Sequence, residues 1–220
     1  MTGNLPITRP PLTRRGAGRP TKAQADARLE ELLDTALDMF LEHGFELTTI
    51  EMIAVRMNMT KRTVYAKFPD KAALFLASVQ RAIERQIVPA DELRALDSGD
   101  LRETLRAIGR QRIGLVRTRN GLRLQRIINT ESFRFPQLLM LNYNQSAKPV
   151  TDFNVELLER EAAAGQLRAA DSKLAASVFL SMVVSGPVRQ IVAGEPPAPD
   201  HIDALVDFAV DLFLDGMRPR

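Results

Sequence analysis

Apolar residues recur every three or four positions along most of the chain, which places them on one face of an α-helix. The first such stripe comprises Leu29, Leu32, Leu33, Ala36, Leu37 and Phe40. Thr21 and Gln24 fit a capping box before this stripe, and Gly44 can adopt the left-handed conformation that ends a helix. The pattern therefore predicts a first helix over residues 22–43.

Two short helices are predicted next. We expect a second capping box in the run Thr48-Thr49-Ile50-Glu51, opening a helix that begins at Ile50 and ends near residue 57. Asn58 tolerates the left-handed backbone of a tight turn, and Thr60 suits the N-cap of a helix over residues 61–68. Pro69 ends that helix. Two short helices joined by a tight turn and supported by a longer helix are typical of a helix-turn-helix.

The rest of the chain is also expected to be helical. Asp70 is predicted to cap a fourth helix that ends near residue 87, and further helices are predicted over residues 101–116, 121–132, 136–164, 171–193 and 200–217. Pro149 lies in the longest of these, where we expect a bend. The predicted fold class is all-α, with an N-terminal three-helix helix-turn-helix bundle and a larger C-terminal helical bundle.

The composition is that of an ordinary globular protein, with 45% hydrophobic and 26% charged residues among 220. The chain contains no cysteine, which excludes disulfides and thiolate metal sites and favours the cytoplasm. No apolar run approaches the ~20 residues of a membrane span, and the N-terminus lacks the apolar stretch of a signal peptide. We therefore expect a cytoplasmic protein with no membrane partner.

The charge is concentrated at the N-terminus, where residues 1–28 hold six basic residues and one acidic residue. The predicted organisation is a disordered basic arm over residues 1–20, a helix-turn-helix DNA-binding domain over 21–69, and a C-terminal helical domain over 70–220. Arg19 and Lys22 lie nearest the folded part and are predicted to contact DNA phosphates. A solubilising tail explains the distal half of the arm equally well.

The third predicted helix carries the DNA-binding surface. Val64 and Phe68 lie four residues apart and can seat it on the bundle, which leaves Lys61, Arg62, Thr63, Tyr65 and Lys67 on the other face. Residues 52–68 hold four basic residues and no acidic one. Such a surface suits a groove lined by phosphates.

The stretch Phe45–Leu74 resembles the signature of the tetracycline-repressor (TetR) family. The matching positions are Thr48, Ile53, Ala54, Thr60, Thr63, Tyr65, Phe68, Lys71 and Leu74. The family turn usually reads Ala-Gly-Val-Ser, whereas this chain has Met57-Asn58-Met59-Thr60.

The resemblance implies roles for individual residues. Thr60 and Thr63 would contact phosphates or bases, and Lys61 and Arg62 would face the major groove, where arginine commonly reads guanine. Further phosphate contacts are implied for Thr49, Tyr65 and Lys71. Other interpretations stay open, because Thr60 could serve only as a cap, Tyr65 only as a packing residue, and Lys67 and Arg56 only as solvated side chains.

The implied function is that of a transcriptional regulator, by family default a repressor. It would bind a palindromic operator as a dimer and be released by a small-molecule effector. The resemblance thus implies that residues 70–220 form an effector-binding and dimerisation domain, a C-terminal helical bundle for ligand binding and dimerisation. The alternative is a regulator without an effector, acting constitutively or through a protein partner.

The effector is expected to be a small apolar or aromatic molecule, bound where polar groups lie among apolar ones. The candidate residues are Ile108, Gln125, Ile128, Asn129, Phe133, Met140, Tyr143, Asn144, Phe179 and Met182. Their apolar members are equally explained as core. Residues 123–139 resemble a TetR subgroup that includes repressors of efflux systems. Four arginines could bind an anionic effector or simply form a solvated helix face: Arg110, Arg117, Arg123 and Arg126.

The last two predicted helices carry more apolar surface than one helix pair needs, which favours a homodimer with a four-helix interface. The predicted interface residues are Leu174, Val178, Ser181, Ser185, Leu205, Phe208 and Leu212. Packing within one chain is the alternative.

Catalytic chemistry is not expected. The only histidines, His43 and His201, each lie near a helix end, and the chain has no HExxH motif, phosphate-binding glycine loop or nucleophile elbow. We therefore predict no enzyme activity, no metal and no cofactor.

Overall fold

The computed structural model describes residues 21–168 and 170–219, and within those ranges the secondary structure is helical with no strand. The predicted arm over residues 1–20, with Arg19, lies outside them. Eleven α-helices are present in these ranges: α1 (Lys22–Leu47), α2 (Ile50–Arg56), α3 (Lys61–Tyr65), α4 (Lys71–Glu84), α5 (Ala90–Arg94), α6 (Leu101–Arg117), α7 (Arg119–Glu131), α8 (Gln137–Asn142), α9 (Lys148–Ala163), α10 (Ser172–Ala193) and α11 (Pro199–Met217).

Side-chain caps begin several of these helices where the sequence predicts them. Thr21 and Gln24 form the reciprocal capping box of α1, with N···O distances of 2.9 and 3.2 Å. Asp70 accepts a hydrogen bond from the backbone N–H of Ala73 at the start of α4, and Asp100 accepts one from Glu103 at the start of α6. The regular path of α1 breaks at Gly44, whose φ of 78° lies in the left-handed region.

The predicted start of the second helix at Ile50 is confirmed, but Thr48 does not form the predicted capping box. Thr49, not Thr48, is the N-cap of α2, and its hydroxyl accepts from the N–H of Met52 at 3.2 Å. Thr48 is buried instead, and its hydroxyl donates to the carbonyl of Gly44 at 2.8 Å. Burial leaves Thr48 with a packing role at the end of α1.

Two further features differ from the predicted helix map. The single helix expected over residues 136–164 is divided into α8 and α9 by a π-helical segment, Tyr143–Ala147. The N–H of Lys148 reaches back five residues to Tyr143, and the next residue, Pro149, has no N–H to continue an α-helical ladder. Helix α5 was not predicted, because its five residues bury only Leu93 and show no full helical period.

The first hydrophobic cluster joins α1–α4 to α7 and α8. Four aromatic rings lie at its centre, with Phe135 packed 4.9 Å from Phe45 and 4.8 Å from Phe75, and Phe40 5.1 Å from Phe75 between ring centroids. Phe135 follows α7, so a residue of the C-terminal part completes the core of the N-terminal bundle. The core thus continues across the domain boundary predicted at residues 69–70.

The second cluster joins α6, α9, α10 and α11. Gly109 allows α6 to approach its neighbours closely, since a Cβ there would lie 2.8 Å from Val183 Cγ1 and 3.2 Å from Val206 Cγ1. Three arginines of α6 face three aspartates of α11 along the same contact: Arg102, Arg106 and Arg110 against Asp203, Asp207 and Asp211. This pairing holds α6 against α11.

Helix α10 is long and apolar enough, by length and composition alone, to cross a membrane. Its residues Phe179 and Val183 are buried in the second cluster. One side of α10 is therefore a core surface of the protein.

Candidate nucleic-acid interface

Helices α2 and α3 form the helix-turn-helix, and their turn is fixed by backbone contacts. Asn58 has the positive φ of 49° expected of a left-handed residue, and the N–H of Met59 donates to the carbonyl of Ala54 at 2.8 Å. Arg28 of α1 donates to the carbonyl of Met57 and pairs with Glu31 at 2.5 Å. Sequence reasoning missed this support, since Arg28 lies 29 residues before the carbonyl that it binds.

Helix α3 presents almost its whole surface to solvent. It buries only Val64, which packs in the first cluster with the half-buried Phe68 behind it. Thr60 caps the helix by accepting from the N–H of Thr63 at 3.2 Å, and the two hydroxyls lie 2.8 Å apart. The exposed side chains are those predicted to meet DNA: Thr60, Lys61, Arg62, Thr63, Tyr65 and Lys67.

An acidic residue reaches this surface from outside the acid-free stretch. Glu51 of α2 forms an ion pair with Lys61, whose ammonium also lies 5.5 Å from the centroid of the Tyr65 ring. The hydrogen bond from Lys61 lowers the pKa of Glu51 below its usual value, and the same bond raises the pKa of Lys61. One cation of the predicted DNA surface is thus neutralised within the molecule.

Lys71 has a different environment from the other predicted phosphate contacts. Its ammonium donates to the carbonyls of Phe45 and Glu46 at 2.7 and 3.0 Å and lies 4.4 Å from the centroid of the Phe45 ring. This geometry caps the end of α1 and ties it to the start of α4. A phosphate contact through Lys71 would have to share this ammonium with two carbonyls. Lys22 and Thr49 are exposed at the starts of α1 and α2.

The structure does not bring the ten predicted effector residues into one cavity. Ile108, Ile128 and Phe179 are buried in the hydrophobic core, and Met182 is half-buried beside an open hollow on α10 and α11. Phe133, Asn129, Met140, Tyr143 and Asn144 are exposed. Only Gln125 and Asn129 line the same hollow, a groove of about 390 Å³ between α7 and α10.

Two of the four arginines considered for an anionic effector are occupied by carboxylates. Arg110 lies 2.6 Å from Asp203, and Arg123 lies 2.5 Å from Asp38. Arg117 and Arg126 are exposed. Another arginine, Arg112 of α6, is half-buried and lines a small hollow of about 20 Å³; sequence reasoning did not single it out because it carries no motif.

The predicted dimer residues lie on α10 and α11. Leu174, Val178, Phe208 and Leu212 are 50–70% exposed although they are large and apolar. Ser181 and Ser185 are exposed on α10, where Ser185 lines the groove shared with α7, and Leu205 is half-buried on α11. A hollow of about 360 Å³ lies on this apolar face, lined in part by Leu174, Val178 and Leu212.

Comparison with known proteins agrees with this architecture. A family model described as "Bacterial regulatory proteins, tetR family" matches residues 32–78, and one described as "AefR-like transcriptional repressor, C-terminal domain" matches residues 103–216. The HTH-type transcriptional regulator Rv1556 of Mycobacterium tuberculosis is 29% identical over 206 residues, covering 91% of this chain and 94% of that protein.

Solved structures give the same result. The Flavonoid-responsive Regulator FrrA is 30% identical and superimposes with a TM-score of 0.69, covering 89% of this chain and 99% of its own. A TetR-family regulator from Mesorhizobium loti is 21% identical with a TM-score of 0.72, covering 91% of this chain and all of its own. The resemblance expected from residues 45–74 is therefore confirmed, and this chain belongs to the TetR family of bacterial transcriptional regulators.

Proposed function

We propose that this regulator is a repressor that binds a palindromic operator as a homodimer and leaves it when a small molecule binds. The observation that carries the proposal is the surface formed by α3 and its flanking residues Thr60 and Lys67. The helix buries only Val64, and this surface exposes three cations, two threonine hydroxyls and the Tyr65 phenol. A short cationic helix that projects from its bundle fits the major groove, with flanking groups on phosphates. Repression is favoured because the family model over residues 103–216 is that of a repressor.

The homodimer is supported by the exposed apolar face of α10 and α11. Four large apolar side chains are exposed to solvent on this face. The same face of a second copy, related by a two-fold axis, would bury them. Two copies of α3 related by that axis would read two half-sites, which makes the operator a palindrome.

Operator binding is tested with Arg62→Ala and Tyr65→Ala. We expect each variant to weaken binding to a palindrome from the upstream region of the protein's own gene about tenfold or more, because each loses a base or phosphate contact. Fluorescence anisotropy at several salt concentrations measures the affinity. Arg94→Ala is the matched control, since Arg94 is exposed on α5, away from the helix-turn-helix. Unchanged affinity for both variants would contradict the assignment of α3.

Effector control is supported by the relation to FrrA, a regulator whose name describes it as flavonoid-responsive. A screen of flavonoids, apolar drugs, acyl compounds and aromatic acids, read by thermal shift and by operator release, tests it. Operator release by one of these classes is the expected result.

The alternative, a regulator without an effector, is favoured by one observation. The two hollows that border α7 on its inner side, near Arg123 and near Arg112, hold only about 10 and 20 Å³. An effector that binds at either of these two hollows would therefore have to open space there. Persistent failure of all ligand classes to shift the melting temperature or release the operator would favour this alternative.

A further inference from the structure

Arg112 is the half-buried arginine whose charge has no carboxylate beside it. Five arginines of the described ranges are half-buried, and four of them pair with an acid: Arg81 with Glu30, Arg102 with Asp211, Arg106 with Asp207 and Arg123 with Asp38. The contact of Arg112 within those ranges is one long hydrogen bond, 3.3 Å from its Nη2 to the hydroxyl of Ser146. Since charge taken out of water is costly unless it is paired, this exception needs an explanation.

The surroundings of Arg112 are polar but uncharged. Its guanidinium borders a chamber that is also lined by Gln86, Gln125, Asn142 and Ser146, together with apolar residues of α6 and α7. Their amide and hydroxyl groups can donate hydrogen bonds, and none of them can neutralise a cation. Burial lowers the pKa of Arg112, yet arginine remains charged in proteins. The chamber is therefore a positive, donor-rich environment that lacks an anion.

One side chain, that of Gln125, borders both the chamber and a larger groove. The chamber's own volume of about 20 Å³ holds roughly one water molecule. Gln125 lines this chamber and also the groove of about 390 Å³ between α7 and α10. The groove presents the apolar side chains Val188 and Val192, so Gln125 lies between an apolar groove and a cationic chamber.

We propose that the effector is an organic monocarboxylate, whose carboxylate pairs with Arg112 while its apolar body lies along Val188 and Val192. The inference rests on the proposed effector control and names the chemical class of the effector. Arginine presents a fork of donors that matches a carboxylate in two parallel hydrogen bonds, and an amide such as Gln125 adds a further donor.

The position of the chamber explains how ligand binding there would affect the helix-turn-helix. Gln86 lies two residues after the end of α4, and Asn142 and Ser146 belong to α8 and the π-helical segment, both of which pack against α4. A carboxylate is larger than the present chamber, so its entry must separate these elements. Helix α4 begins at Lys71, whose ammonium holds the end of α1 beside the helix-turn-helix.

The test compares matched acids and neutral amides on the full-length protein. Isothermal titration is carried out with benzoate, cinnamate and octanoate, and with benzamide, cinnamamide and octanamide. At least one acid is expected to bind wild type about tenfold or more tightly than its amide, and Arg112→Gln is expected to abolish that difference. Arg117→Gln, the same change at an exposed position of α6, should preserve it.

Two further variants keep the result decisive. Arg112→Gln removes an unpaired charge, so its melting temperature is expected to be no lower than that of wild type. Arg112→Lys should bind the acid with intermediate affinity, because lysine keeps the positive charge but lacks the forked donors of the guanidinium. Arg189→Gln removes the exposed cation that lines the groove. Equal affinity for acids and amides, binding that depends on Arg189 but not Arg112, or full affinity in Arg112→Gln would each overturn the inference.

Binding of the acid to the DNA-free protein and release of the protein from its operator are measured separately. An acid that binds through Arg112 but leaves the operator complex intact supports the site and contradicts effector control. Release of the operator by neutral compounds, equally in wild type and in Arg112→Gln, supports effector control and overturns the carboxylate.

Discussion

At the scale of the residue, the contact between Glu51 and Lys61 adjusts the charge that α3 offers to DNA. The depressed pKa belongs to the folded state, so the pair is intact above the ordinary glutamate pKa and is lost as pH falls through the lowered one. At neutral pH the carboxylate therefore competes with phosphate for Lys61. Glu51→Gln removes this competitor, and we expect operator affinity at low salt to rise about two- to fivefold, measured by anisotropy.

The salt dependence provides an independent measurement of the same effect. Releasing Lys61 to a phosphate should steepen the slope of log K against log salt by up to about one unit. Glu92→Gln on α5 is the control, because it makes the same charge change at an exposed position away from α3. Equal affinities for wild type and Glu51→Gln at every salt concentration would mean that Lys61 takes no part in binding.

At the scale of the element, the loop between α7 and α8 joins the two parts of the molecule through Phe135. This ring is buried against Phe45 and Phe75, while Arg134 pairs with Glu46 and lies 5.2 Å from the Phe45 ring. We expect Phe135→Ala to lower the free energy of unfolding by about 3–5 kcal/mol, as for other buried phenylalanines. Urea denaturation followed by circular dichroism measures it.

Phe133 supplies the matched control two residues away. Its side chain is fully exposed, so Phe133→Ala should change the free energy of unfolding by no more than about 0.5 kcal/mol. Similar losses in the two variants would show that Phe135 does not hold the parts together.

The elements that sequence could predict are those whose signals are local. The caps at Thr21, Thr60, Asp70 and Asp100 and the turn at Asn58 depend on residues within a few positions, and so does the surface of α3. Contacts between distant segments left no such signal: Arg28 with Met57, Glu51 with Lys61, and Phe135 in the N-terminal core. The lack of a carboxylate beside Arg112 likewise depends on how α6, α7 and the π-helical segment pack together, which the sequence alone does not give.

At the scale of the whole molecule, the proposed dimer determines whether two copies of α3 can act together. Leu212 is 54% exposed on the apolar face of α11, and Leu139 is 50% exposed on α8. We expect Leu212→Glu to produce monomers, since it would place a charge in the centre of an apolar interface, whereas Leu139→Glu should leave the dimer intact. Sedimentation equilibrium measures the mass of each variant.

Loss of the dimer should also weaken DNA binding. Together with the circular dichroism spectrum, this effect distinguishes a Leu212→Glu protein that is folded but monomeric from one that is unfolded. A folded monomer has one copy of α3, so its affinity for the full palindrome should fall close to its affinity for a single half-site, by about 100-fold or more. Its circular dichroism spectrum should match that of wild type, because Leu212 is not part of the buried core. A Leu212→Glu protein that remains dimeric and binds the palindrome normally would place the interface elsewhere, and the exposed face of α10 and α11 would then need another partner.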